Sequence, residues 1–248
     1  MRFEMMLPHQ VRSAIAASWP VVLPLGVLEY HGEHLALGLD TLVVVKALES
    51  LESEIDMVIL PAFPYGAASY AVEPPGGTGT LHVDAEKLVP FAKEVLHGLL
   101  RIGFRNIHAV IHHQTENFVA GMPTDLAFKL AGRQVIFDFL ERQHGEGWWG
   151  KEAMADYYSI QAEGTDPFNW IKVHPLMTAE MIRAFPFDHA GIGETSLLMA
   201  FCPEAIDMER PTKEKWYTRS ASGASPELGA KGREMIRDHL RQILKPVI

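Results

Sequence analysis

Apolar positions along this chain keep two rhythms. The continuous branched run at residues 21–27 reads as a buried strand, because a strand covered on both faces has no polar side to present, and residues 57–61 and 106–111 read as a second and a third strand. Between them the spacing turns helical. Residues 9–18 read as a short helix, and Asp40 or Thr41 is expected to cap a helix running to about Glu54. Asp84 opens a long helix in which Leu88, Phe91, Val95, Leu99 and Ile102 recur on one face, closed by Gly103. Residues 118–131 read as helix and 134–140 as a fourth strand. Residues 226–244 form a terminal amphipathic helix, with Ser225 as its cap and Pro226 at its first position. A Pro/Gly-rich loop fills 61–80, and no internal repeat or low-complexity tract interrupts the pattern. Such βα alternation predicts an α/β fold with a mainly parallel sheet covered on both faces by helices. Ligands of such folds sit beyond the carboxyl ends of the strands.

Polar clusters fall at those ends. The segment LPLGVLEYHGEHLALGLD, from Leu23 to Asp40, crowds Glu29, His31, Glu33, His34 and Asp40 behind the first strand. A glutamate two residues from a histidine projects to the same side of an extended backbone, and an aspartate returning from the next loop can bridge two ions. A divalent-metal site is therefore the first reading; a solvated surface loop is the other. Gly26, Gly32 and Gly38 recur through the cluster, as where backbone turns tightly around a site. The second cluster, His112-His113-Gln114-Thr115-Glu116-Asn117, directly follows the third strand. A third, Asp188-His189-Ala190-Gly191 and then Glu194-Thr195-Ser196, precedes an apolar helix.

Composition narrows the choice. At 248 residues and 48% apolar content, the chain suits one sizeable domain over 1–248. A net charge of −9 and a pI near 5.7 speak against a nucleic-acid surface. The lone Cys202 excludes an internal disulfide framework and a cysteine zinc site, so any metal must use His, Asp and Glu; Cys202 itself reads as a buried small hydrophobe. The opening MRFEMMLPHQ lacks the apolar core of a signal peptide, and no window approaches a membrane span, so a cytoplasmic protein is expected.

The first cluster also carries a resemblance. LPLGVLEYHGEHLALGLD resembles the signature of the creatininase family, the creatinine amidohydrolases and their relatives, which runs roughly P-x-G-S-x-E-Q-H-G-x-H-L-P-x-x-T-D. HAGIGETS, beginning at His189, resembles that family's H-A-G-x-x-E-T-S, and GTGTL at 77–81 its G-T-x-S-L. The resemblance implies a three-layer α/β/α sandwich. It also implies a two-metal site in which Glu29 and His31 bind one ion each and Asp40 bridges both. The remaining ligands come, in the family, from an N-G-H-x-E-N segment. Here that segment reads HHQTEN: Glu116 matches as ligand of the second ion, while register puts the family's histidine on Gln114. A neutral imidazole is a far commoner ligand than a carboxamide, which favours His113. His112 is left as a neighbour of the metal or substrate, and Glu194 as an alternative ligand or catalytic group.

Two ions, Zn²⁺ and/or Mn²⁺ with Fe²⁺ also accommodated, would activate a shared water and polarise the carbonyl it attacks. His189 is the candidate proton shuttle, its ring oriented by Asp188 or Glu194; a helix-capping role is the alternative. Glu33 and His34 are not ligands in the motif and read as scaffolding. Trp148 and Trp149, in HGEGWWGK, form either an aromatic lid or plain packing, and Trp170 and His174 read as packing. Tyr65, Gly66 and Ser69 resemble a family loop that approaches substrate, but the histidine common before its G-T pair is replaced by Val72 or Glu73. The expected activity is hydrolysis of a small cyclic amide other than creatinine. The alternatives are C–C cleavage of a cyclic diketone such as a keto-inositol, or a non-catalytic metal-binding homologue. The resemblance further implies a homo-oligomer, commonly a hexamer in the family.

Overall fold

The computed structural model describes residues 1–118, 120–157, 159, 166–210 and 215–245. Its strands β1 (Val21–Leu25), β2 (Val58–Ile59), β3 (Ile107–Ile111) and β4 (Ile171–Pro175) form one parallel sheet in the order β2-β1-β3-β4. Val21 lies opposite Ile107, which lies opposite Ile171. Successive side chains leave opposite faces of a strand. Val21, Leu23, Leu25, Ile107, Ala109 and Ile111 therefore pack on the layer of α1 (Pro8–Ala16), α3 (Ala85–Ile102) and α4 (Pro123–His144). Val22 and Val110 pack on the other layer, α2 (Leu39–Glu49), α6 (Ile192–Phe201) and α7 (Pro226–Ile243), with the short α5 (Met181–Ala184) at its edge. This is the expected α/β three-layer sandwich. Every residue of β1 and β3 is buried, which is why β1 reads as an uninterrupted apolar run and β3 is apolar but for His108.

Element ends follow local chemistry. Ser225 caps α7 through a hydrogen bond from Leu228 N (3.1 Å), and Gly103, at φ +121°, takes the left-handed turn that stops α3. The buried face of α3 is Leu88, Ala92, Leu96, Leu99 and Leu100; Phe91 and Ile102 stand half exposed at its margin. Burying one such leucine contributes about 1.5–3 kcal/mol. Helix α2 starts after Gly38, not at Asp40 or Thr41, because the Asp40 side chain turns inward from the first turn and does not cap. It also stops at Glu49, short of Glu54.

The expected fourth strand at 134–140 is helix instead. Val135, Ile136, Phe139 and Leu140 are buried while Phe137 is half exposed, a spacing of one helical face that continues α4 through Gly132. Gly132 is no breaker: a Cβ there would come within 2.9 Å of Ile171 Cγ2, so the glycine lets α4 lie close against β4. The actual fourth strand, Ile171–Pro175, escaped the reading because Lys172 and His174 interrupt its apolar character at the sheet edge. Cys202 is a free, buried thiol. No described helix is long and apolar enough to cross a membrane.

His174 joins His108 and Asn106 in a network between sheet and α7. His108 Nε2 donates to Asn106 Oδ1 (2.8 Å), so His108 Nδ1 accepts from His174 Nε2 (3.0 Å). Burial, then the neighbouring His174 and Lys172, push the His108 pKa down to about 3. Burial, then His239, Lys172 and Lys129, push His174 down to about 4. Both imidazoles return to ordinary values near 6.5 on unfolding, so below that pH the unfolded chain takes up protons that the folded one refuses. Folding stability is expected to fall as pH drops from about 6.5 toward 4. Denaturant unfolding of His174→Asn should show a shallower loss over the same range; an equal loss would remove this pair as its source.

Candidate active site

Beyond Leu25 the chain leaves the sheet at Gly26, where a Cβ would lie 2.4 Å from Thr41 Oγ1 and 2.6 Å from Thr41 N. Only glycine lets the loop after β1 pass this close to the first turn of α2, and that contact brings Asp40 over the strand end. The loop is pinned by Glu29 N to Leu37 O (3.0 Å) and Tyr30 N to Thr80 Oγ1 (3.0 Å). His31 Nδ1 donates to Glu29 O (3.0 Å), which leaves the Nε2 lone pair facing inward. Three carboxylates ring it: Glu29 Oε1 at 3.7 Å, Asp40 Oδ1 at 3.6 Å and Glu194 Oε2 at 3.7 Å. Glu33 instead takes the Tyr30 hydroxyl (2.7 Å), and His34 Nε2 meets Thr195 Oγ1 (3.0 Å), so both are scaffolding.

After β3, Gln114 adopts a left-handed φ of +51°. That turn sends neighbouring side chains to different places. His113 Nδ1 faces Glu29 Oε1 and Asp40 Oδ2, each at 3.2 Å, whereas the Gln114 amide donates to His189 Nδ1 (3.4 Å). Glu116 turns away to His112 Nδ1 (3.0 Å) and Met177 N (3.4 Å), outside the ring of donors around Asp40.

The third cluster arrives on the first turn of α6. Asp188 accepts from Gly193 N (3.1 Å) and Glu194 N (3.2 Å), capping the helix; it does not orient His189. Nor does Glu194, which accepts from Ala190 N (2.6 Å). His189 is held by Nε2–H donation to Tyr30 O (3.0 Å) and by stacking on His31 at 4.5 Å, with Nδ1, the acceptor of the Gln114 amide, 3.8 Å from Glu29 Oε1. Tyr217, which the sequence reading missed, packs edge-on against His189 at 5.5 Å. It lies in a short 3₁₀ stretch without a motif, so nothing in the sequence marked it.

Two donor groups share one residue. Glu29, Asp40 and His113 form one, His31, Asp40 and Glu194 the other, and each brings its ligand atoms within 4.8 Å of one another. A further group joins Glu29, His31 and His189. His31 Nε2, both Asp40 oxygens and His113 Nδ1 are buried with no hydrogen-bond partner. Buried polar atoms are almost always satisfied, so this concentration of orphans fits a divalent cation. Burial alone would lower the His31 pKa, but Asp40 and Glu194 overcome it and raise the value to about 9. His112 and His113 are raised well above the usual range despite burial, by Glu116 and by Asp40 with Glu29 respectively. Asp40 is held below the usual carboxylate range by His31 and His113, against the effect of burial.

Trp148 and Trp149 lie at the opposite end of the sheet. They line a cavity of about 450 Å³ with Phe137, Glu141 and Phe168, beyond the C-terminus of α4 and before β4. Among the described residues Trp148 packs on the core and Trp149 against Tyr157. Trp170 packs between Arg105 and Phe139.

A family model described as creatinine amidohydrolase, Creatininase, matches residues 4–244. The creatinine amidohydrolase of Pseudomonas putida is 24% identical over 192 residues, 77% of this chain and 67% of that protein. The 3-dehydro-scyllo-inosose hydrolase of Thermotoga maritima is 24% identical over 207 residues, 84% of this chain but only 58% of that protein. Among solved structures, a tryptophan-to-phenylalanine mutant of creatininase superposes with a TM-score of 0.69 at 19% identity, covering 99% of both chains. A manganese form of creatininase reaches 0.66, also at 19% identity and 99% coverage of both chains. Since the family model spans nearly the whole sequence, the chain belongs to the creatininase family.

Proposed function

We propose that the chain is a metal-dependent hydrolase that opens a small cyclic amide other than creatinine. The observation that carries this reading is the sharing of Asp40 by two donor groups built from otherwise separate residues. Glu29, Asp40 and His113 would hold one ion, and His31, Asp40 and Glu194 the other. Zn²⁺ or Mn²⁺ suits this donor set, and Fe²⁺ is also compatible. When bound, such a pair supplies an activated water and polarises a carbonyl. The protein's own part is positional. The Tyr30 carbonyl keeps the proton of His189 on Nε2, so Nδ1 can accept one from the attacking water and return it to the leaving amine. Gln114 holds that nitrogen in place, a task open to it because His113 took the ligand position.

Creatinine is disfavoured by the changed HHQTEN segment and by Val72 and Glu73 where a loop histidine is common. The likeness to an inosose hydrolase over 84% of the chain supports a second reading, C–C cleavage of a cyclic diketone, in which the same donors would stabilise an enolate. The reading includes one catalytic domain over 1–248 working in the cytoplasm, and a homo-oligomer. The half-exposed Leu126, Leu130 and Phe137 on α4 support the assembly.

The test is turnover of a panel of lactams, imides and cyclic ketones by Mn²⁺- or Zn²⁺-loaded protein. A ring-opened product with a new amine supports the amide reading; a carboxylic acid formed with no change at nitrogen supports the diketone reading. Full metal loading without turnover on any member would leave a non-catalytic metal-binding homologue. His113→Ala is expected to lower occupancy of one ion more than Gln114→Ala does, read by elemental analysis. The reverse order would return the ligand position to Gln114.

A further inference from the structure

We propose that His112 and Glu116 form a buried relay that positions Glu194 as a ligand of the second ion, so that Glu116 acts one residue removed from the metal. The inference rests on the two-ion reading above. The His112 and Glu116 side chains are fully buried, and they face each other through Nδ1 and Oε1 at 3.0 Å. The other ring nitrogen, Nε2, lies 3.5 Å from Glu194 Oε1. Glu194 Oε2 takes the Ala190 N–H at 2.6 Å and faces His31 Nε2 at 3.7 Å. Its carboxylate is therefore held at Oε2 by the Ala190 amide and faces the otherwise unpartnered His112 Nε2 at Oε1, with Oε2 still aimed at the donor ring.

Glu116 stands one step outside the donor groups around Asp40, although its Oε2 is buried with no hydrogen-bond partner. Its Oε1 already serves His112 and Met177 N, and it belongs to neither donor group around Asp40. His112 is fixed in turn, its ring edge-on to Phe187 at 5.6 Å. A carboxylate–imidazole–carboxylate chain of this kind sets the orientation of the terminal oxygen, and loss of such a supporting partner typically weakens metal binding 10- to 100-fold.

The test is Mn²⁺ titration of the whole protein, followed by electron paramagnetic resonance, where the exchange-coupled spectrum of a Mn²⁺ pair reports the second ion separately from the first. Glu116→Gln and His112→Gln should each weaken the second ion about 10- to 100-fold and leave the first unchanged. The double variant should be no worse than either single one, because the two act as a unit; it also removes the uncompensated buried charge that each single variant leaves. Glu194→Gln should abolish the coupled signal. Loss of the second ion in Glu116→Gln as complete as in Glu194→Gln, with His112→Gln unaffected, would make Glu116 the ligand and overturn the relay. Unchanged affinities in the single and double variants would reduce the pair to a structural contact. Wild-type protein that takes up only one Mn²⁺ would overturn the two-ion reading itself.

Discussion

Asp40→Ala is expected to leave the protein without either ion. Asp40 Oδ1 faces His31 Nε2 at 3.6 Å and Oδ2 faces His113 Nδ1 at 3.2 Å, so each oxygen belongs to a different donor group. Both oxygens are buried with no partner, and the residue is only 1% exposed. Removing it would take one donor from each of the two groups that share it. Asp40→Asn keeps the volume and loses the charge, and should behave alike; turnover of any substrate should fall to background in both. Elemental analysis of the purified variants decides the matter. Two ions retained would end the bridging assignment, and one retained would confine Asp40 to a single ion.

His189→Ala is expected to keep both ions and lower turnover by about 10²–10⁴, the usual scale of a positioned proton-transfer group. The geometry gives the reason. Its Nε2–H is committed to the Tyr30 carbonyl, so Nδ1 is the nitrogen open toward Glu29 and Gln114. Steady-state kinetics with metal analysis on the same preparations separates the possibilities. Unchanged turnover would rule out the shuttle. Loss of an ion together with activity would make His189 a ligand, through its grouping with Glu29 and His31.

Much of this was legible in the residues because the chemistry is local there. Strands β1 and β3 are buried on both faces, and β1 announced itself as a branched run. Glu29, His31 and Asp40 lie within twelve positions of one another behind the first of them. What stayed hidden depended on contacts between distant segments. The stretch 134–140 is apolar enough for a strand, and its helical form shows only in the packing, where Val135, Ile136, Phe139 and Leu140 turn one face to the core. That His113 and not Gln114 faces Asp40 depends on one left-handed residue, which no propensity marks at glutamine. Glu116 matched a ligand by register, yet the same turn carries it to His112 and leaves the ring of donors to Glu194, 78 positions further on. The orientation of His189 by a backbone carbonyl from residue 30 was likewise beyond any motif.

The buried carboxylates have a consequence for the chain's life outside catalysis. Glu29, Asp40 and Glu194 are each no more than 4% exposed, on three segments that meet only in the finished fold. Such a knot of negative charge is costly to close unless cations accompany it. Any ion that binds the closed form and not the open chain draws the folding equilibrium toward closure by mass action. If the proposed ions bind, cation supply and folded population would be two readings of one equilibrium, and the protein's abundance would become sensitive to the metal status of its surroundings.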